Sequence, residues 1–213
     1  MGYIFLDFNG TVLDDLNLCI NLLNEMLVMK GHQSITKEKY LEIFGFPVIE
    51  YYKRAGFDFN NYTFSELADY FIAEYSRRNI KECKIFSDVK KALDLAHNNG
   101  FKVILCSASK LNLLIEQLVS FDILDLFDDV IGLDDHHAKS KVDLAVNYIK
   151  NNNIDINNLY FVGDTDHDAL VAKSCNAKAL LVARGHQNKH ILNTHCSLVF
   201  DSLYSAFEHI IND

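Results

Sequence analysis

The stretch "IFLDFNGT" ends an apolar run in Asp7 and turns at once through Phe8, Asn9, Gly10 and Thr11. A carboxylate at the tip of a buried strand is costly unless a ligand or a cation uses it. Three further stretches have the same character. "VILCSASK" puts Ser107 and Ala108 just after an apolar run, and "KSKVD" opens a helical pattern with Lys139 and Lys141. "YFVGDTDHD" ends a run in Asp164 and adds Asp168 one helical turn later. A carboxylate, a hydroxyl, an ammonium and a pair of acids thus fall at predicted strand ends, where ligands bind. Singly, each stretch also reads as a helix cap, a turn threonine or a solvated lysine. A calcium loop is excluded for "DTDHD", because Ala169 and Cys175 stand where Gly and Glu are required.

Those residues need strands to place them. Apolar runs at Tyr3–Leu6, Lys102–Cys106, Val130–Gly132, Leu159–Val162 and Ala179–Val182 predict buried strands. Helical spacing at Val89–Asn98, Lys110–Val119, Lys141–Asn151 and Asp168–Ser174 predicts helices between them. Alternation of this kind gives crossover units and a parallel α/β sheet, with ligands at the carboxyl ends of its strands. Residues 16–82 break the rhythm. Leu16, Ile20, Leu23, Leu27 and Val28 repeat on one helical face, and "TKEKYLEIF" and "TFSELADYFIAEYSRR" each open on a Thr suited to an N-cap. Pro47 marks a turn within this helical insertion.

The composition bounds the function. The 213 residues are 49% hydrophobic and 23% charged, as in an ordinary globular protein. A formal net charge of −9 argues against a nucleic-acid backbone as partner. No apolar run reaches the length of a membrane span, and "MGYIFL" leads straight into a strand, so neither a membrane segment nor a signal peptide is expected. Cys19, Cys83, Cys106, Cys175 and Cys196 are scattered and contain no C-x-x-C, which suits free thiols in the cytoplasm. His136 with His137, and His186 with His190 four residues on, could each share a metal, but read more simply as surface histidines.

Together, the four stretches resemble the motifs of the haloacid dehalogenase-like hydrolases, in particular the phosphoglycolate phosphatase and β-phosphoglucomutase group. The resemblance covers essentially the whole chain. It implies a Rossmann-like sheet with helices on both faces, a core of residues 1–15 and 83–213, and an α-helical cap of residues 16–82. It implies that Asp7 attacks phosphorus and becomes an aspartyl phosphate. Mg2+ would be held by Asp7, the backbone carbonyl of Asn9 and Asp164, with Asp168 orienting that shell. Phosphate contacts would come from Phe8 and Asn9 in the first loop, Ser107, Ala108 and a lysine, with Thr11 fixing Asp7. One family pattern selects Lys139. Another, with Lys as the first helical residue, selects Lys141, which is preferred here.

Asn9 departs from the family, whose phosphatases carry an Asp there to protonate the leaving oxygen and then activate water. An amide does neither. Dehalogenases lack the paired acids that this chain has, and the loop "FGFPVIE" lacks the lysine of a phosphonoacetaldehyde hydrolase. Two readings remain: a phosphatase whose leaving group needs little protonation, or a weak or inactive phosphate-binding regulator. Asn-Gly also deamidates readily in a flexible turn. On sequence alone, Asn9→Asp is expected to restore proton transfer. The small soluble substrate is not specified, nor is the oligomeric state. The resemblance predicts that Asp7→Asn abolishes phosphate release from every phosphorylated substrate. Residual turnover at about a hundredth of the wild-type rate or more, the least that one catalytic group typically contributes, would exclude Asp7 as the nucleophile.

Overall fold

The computed structural model describes residues 2–133 and 140–213. The chain runs through β1 (Gly2–Leu6), β2 (Leu13–Asp14), α1 (Leu16–Met29), α2 (Lys37–Ile43), α3 (Val48–Ala55) and α4 (Phe64–Glu82). It continues through β3 (Lys84–Ile85), α5 (Val89–Asn98), β4 (Phe101–Lys110), α6 (Leu111–Ser120), β5 (Asp129–Leu133) and α7 (Lys141–Asn151). The last elements are β6 (Leu159–Gly163), α8 (Asp166–Ser174), β7 (Lys178–Val182), α9 (Lys189–His195), β8 (Val199–Phe200) and α10 (Leu203–Asn212). The main sheet has the order β5-β4-β1-β6-β7-β8, and all its pairings are parallel. This is the α/β, Rossmann-like arrangement that the alternation predicts. The edge strand β8 adds to the predicted set, since two residues carry no readable period.

Side chains alternate between the faces of the sheet, as the pleat requires. Ile4, Leu6, Val103, Leu105, Tyr160 and Val162 pack on one face with Leu93 of α5, Leu114 of α6 and Phe207 of α10. Their neighbours Phe5, Ile104, Cys106, Leu159 and Phe161 pack on the other face with Ala145 of α7 and Val171 of α8. Because both faces are covered, the strands read as unbroken apolar runs.

The helical insertion has its own cluster, including Leu23, Met26, Leu27, Tyr40, Ile43, Tyr52 and Leu67. Thr36 caps α2 by accepting from Lys39 N at 3.2 Å. Thr63 and Glu66 form a capping box at α4. One detail of the α1 stripe differs from expectation. Val28 is 60% exposed, whereas Leu18 and Leu22 are buried against the sheet core. α1 serves two cores and is therefore apolar beyond a single stripe. The chain enters and leaves the insertion through β2 and β3, which pair antiparallel (Leu13 with Ile85, Asp14 with Lys84).

β1 is central, and the chain crosses from β5 on one side of it to β6 on the other. The carboxyl end of β1 therefore lies at a topological switch point. Phe161, 1% exposed and stacked on Phe5 with ring centroids 5.5 Å apart, anchors this centre. Phe161→Ala should cost about 3–5 kcal/mol in urea unfolding, whereas Val119→Ala on the surface of α6 should stay within about 0.5 kcal/mol. Equal costs for the two would show that the sheet centre is not where stability resides.

Candidate active site

The first loop is built by short-range hydrogen bonds. Asp7 N donates to Val162 O at 2.9 Å, which extends the β1–β6 ladder by one residue. The carbonyl of Phe8 then accepts from the amides of Thr11, Val12 and Leu13, closing the turn. The Phe8 side chain is fully buried in the core, so only its backbone is left for a ligand. Gly10 has φ +70°, and a Cβ there would lie 2.3 Å from Asp164 Oδ2. Only glycine fits that turn against that carboxylate. The Thr11 hydroxyl, fully buried, lies 3.2 Å from Asp164 Oδ1 and 3.5 Å from Asp7 Oδ2.

Lys141 is the first residue of α7, and its ammonium is buried between two carboxylates. It donates to Asp7 Oδ1 and, at 2.6 Å, to Asp168 Oδ1. Asp168 also accepts from Thr165 N and Oγ1 at 3.0 and 2.7 Å, which closes the first turn of α8 and starts that helix at Asp166, two residues earlier than predicted. Asp164 accepts from His186 N at 2.6 Å. Ser107 is buried where the β4–β5 register breaks, and Ala108 beside it is exposed. Ser107 Oγ accepts from Ser109 N at 3.1 Å, which leaves its hydroxyl proton to donate.

The electrostatics are unbalanced. Burial pushes Asp7 up to about 8 despite Lys141, and the charges of Asp168 and Asp164 add to the rise. Burial likewise raises Asp164 to about 6, against the pull of His186. Burial acts on Asp168 too, but Lys141 and Thr165 outweigh it and hold that carboxyl below the usual range. Burial opposes the charge on Lys141, yet Asp168 and Asp7 keep its pKa above the ordinary lysine value. The lysine is shared, and Asp7 is the partner left short of positive charge. An oxygen from each of Asp7, Asp164 and Asp168 lies within 4.8 Å of the others. An all-oxygen donor set in which Asp7 and Asp164 are raised for want of positive charge fits a hard divalent cation.

Several central residues carry no site role in the sequence reading. His186 is not a surface histidine: it is 4% exposed, its Nε2 lies 3.1 Å from Asp15 Oδ1, and its Nδ1 lies 2.9 Å from the hydroxyl of Tyr40 in α2. Phe44 stacks on its ring at 4.9 Å. Burial would lower its pKa, but Asp15 outweighs this and raises it to about 9. Arg184 donates to Thr11 O and to Asp88 Oδ1, both at 2.6 Å, and so braces the first loop. The signal available was "ARGHQ" after the β7 run, at the same sheet edge as the other motifs. His190 is exposed, as expected. Lys139, His136 and His137 lie outside the described residues. In the insertion, Tyr52 is buried in the helical core, and Lys53 is half-exposed and paired with Glu50 at 2.7 Å. The side chain of Asn9 faces Asp15 and Tyr75 at 2.8 and 2.6 Å.

Comparisons with known proteins give the family of the chain. The profile of the haloacid dehalogenase-like hydrolase family matches residues 3–182. A phosphoglycolate phosphatase of Vibrio vulnificus (strain YJ016) is 26% identical over 139 residues, a match spanning 64% of this chain and 61% of that protein. A haloacid dehalogenase-like family hydrolase from Streptococcus pneumoniae superposes with a TM-score of 0.83 at 17% identity, covering 98% of each chain. A protein from Clostridium acetobutylicum, described as a predicted phosphatase, gives a TM-score of 0.83 at 18% identity and covers 100% of this chain and 99% of its own. At such identities the two structures share the fold with this chain.

The raised groups predict a pH dependence. Asp164, Asp7 and His186 all hold their protons more tightly folded than unfolded. Their contribution to stability is complete below the unfolded values and is lost as pH rises through about 6, about 8 and about 9 respectively. Asp15 and Asp168 are lowered, so their contribution is lost as pH falls below the ordinary carboxylate range. The metal-free protein should therefore melt highest at mildly acidic pH and lose several degrees towards pH about 9. Millimolar magnesium should recover most of that loss. A flat profile in EDTA would refute the charge imbalance.

Proposed function

Because the chain belongs to the haloacid dehalogenase-like hydrolases, we propose that it is a magnesium-dependent phosphatase acting on a small phosphorylated metabolite. The observation that carries this reading is Asp7, held by Lys141 and neighboured by Asp164 and Asp168 at the carboxyl end of the central strand. Asp7, Asp164 and the carbonyl of Asn9 are the residues that would hold the cation. When bound, it neutralises the two carboxylates and draws charge from the phosphoryl oxygens.

The rest is the work of the chain. An Asp7 oxygen attacks phosphorus, the bond to the leaving oxygen breaks, and an aspartyl phosphate forms. Water then attacks that phosphorus, phosphate leaves, and Asp7 is regenerated. Lys141 and the Ser107 hydroxyl, with amides of the Phe8–Asn9 and Ala108 loops, hold the equatorial oxygens. Arg184 and Thr11 keep Asp7 in line. Asn9 supplies no proton, so the favoured substrates have leaving groups stable as anions: acyl phosphates, phosphoanhydrides or anomeric sugar phosphates. Residues of the insertion (Tyr40, Phe44 and Tyr75) reach over the site, which favours a small molecule over a polymer. The five cysteines are unpaired, which suits the cytoplasm, and among the described residues no helix is long and apolar enough to cross a membrane.

Asn9 also supports a second reading, a phosphate-binding regulator with little turnover. Release of phosphate from acetyl phosphate, p-nitrophenyl phosphate and phosphoglycolate separates the two. The phosphatase reading expects magnesium-dependent turnover, fastest on acetyl phosphate and lost in EDTA. Magnesium-dependent phosphate binding with no turnover of any of the three would establish the regulator instead.

A further inference from the structure

Asp15, at the start of α1, is 1% exposed, and its two oxygens face five donors. Oδ1 accepts from Gly10 N at 3.0 Å and lies 3.1 Å from His186 Nε2. Oδ2 accepts from Asn9 Nδ2 at 2.8 Å and from the Tyr75 hydroxyl at 2.7 Å, and the Cys19 thiol approaches it at 3.6 Å. Asn9 Nδ2 spends its second proton on the Tyr75 hydroxyl at 2.6 Å. The amide, the phenol and the carboxylate thus form a closed triangle in which every proton has an acceptor. The triangle joins the first loop to α4 of the insertion.

A carboxylate at position 9 has no place in that triangle. It accepts only, as Asp15 does, and one of its oxygens would stand at hydrogen-bond distance from Asp15 Oδ2 with no proton between them. Two buried like charges in contact repel strongly. Replacing Asp15 by Asn removes the conflict. The oxygen of the new amide can go on accepting from Gly10 N and His186, while its nitrogen donates to the carboxylate introduced at position 9.

We infer that Asp15 selects an amide at position 9, which Tyr75 helps to aim at the insertion, so that the missing proton-transfer group is a property of the Asn9–Asp15 pair and not of residue 9 alone. Asp15 is a positioning residue in this account. The sequence expectation that Asn9→Asp suffices to restore proton transfer is revised accordingly. The part of the inference that concerns turnover rests on the phosphatase reading, and the part that concerns pairing does not.

Two readouts on Asn9→Asp, Asp15→Asn and the double exchange test it. Melting temperature should fall by several degrees for Asn9→Asp in the wild-type background, and should hold or rise for the same change in the Asp15→Asn background. The same shift in both backgrounds would overturn the inference, whatever the activity. If Asp15→Asn does not fold, Tyr75→Phe replaces it. Removing the one hydroxyl able to donate to a carboxylate at position 9 should make Asn9→Asp more costly, and an unchanged cost would again overturn the pairing. For turnover, the double exchange should raise kcat on an alkyl phosphate at least ~10-fold above Asn9→Asp alone, with far less gain on acetyl phosphate. Equal alkyl-phosphate rates, with acetyl phosphate turned over normally, would overturn the claim that Asp15 withholds proton transfer. Stability coupling with no turnover of either substrate by any variant would uphold the pairing and sink the phosphatase reading.

Discussion

Asp7, Asp15, Asp164 and Asp168 are buried within one small region, and the cations buried among them are Lys141 and His186. A buried charge must be paired, ligated or neutralised by a proton. Four carboxylates against two cations leave a deficit of two charges, and it falls on Asp7 and Asp164, whose carboxyls are raised, and not on Asp15 and Asp168, whose carboxyls are lowered. The remaining arrangement serves this constraint. β1 and β6 bring Asp7 and Asp164 side by side, the start of α7 delivers the lysine, and the loop after β7 delivers the histidine.

The electrostatics also decide where precision is needed. Gly10 and Gly185 crowd Asp164 so closely that a Cβ at either would lie 2.3 or 2.0 Å from its Oδ2. Glycine here is a requirement of packing around a carboxylate. The same closeness bears on the Asn9-Gly10 bond. Deamidation needs the Gly10 nitrogen to attack the Asn9 side chain, yet Asp15 engages both, through Gly10 N and through Asn9 Nδ2. Both groups that would have to meet are thus held by the same carboxylate.

What the sequence could reveal follows from the range of each interaction. The predicted sheet strands are all present, because burial on both faces writes a continuous apolar run. Thr36 and Thr63 were readable as caps because a cap acts over three residues. Asp7, Lys141 and Asp164 stood out because each follows a strand or opens a helix, and Ser107 because it follows an apolar run, although β4 continues past it to Lys110; all four lie at the carboxyl end of the sheet. His186 did not stand out, because its partners Tyr40 and Asp15 lie 146 and 171 residues away. The same holds for Tyr75 with Asn9, 66 residues apart. β2 and β3 are two residues each, too short for any period.

Those two short strands govern how the protein can be assembled. Since Leu13 pairs with Ile85 and Asp14 with Lys84, the insertion leaves the sheet domain and returns to it at one point in space. For the sheet, everything between them is a loop whose ends already touch. The entropy of closing such a loop grows only with the logarithm of its length, so lengthening it adds little to that cost. The doorway constrains in turn. Two paired strands can twist about their common axis but cannot slide apart without breaking their hydrogen bonds. Any motion of the helices over the site is thereby channelled into rotation about one line.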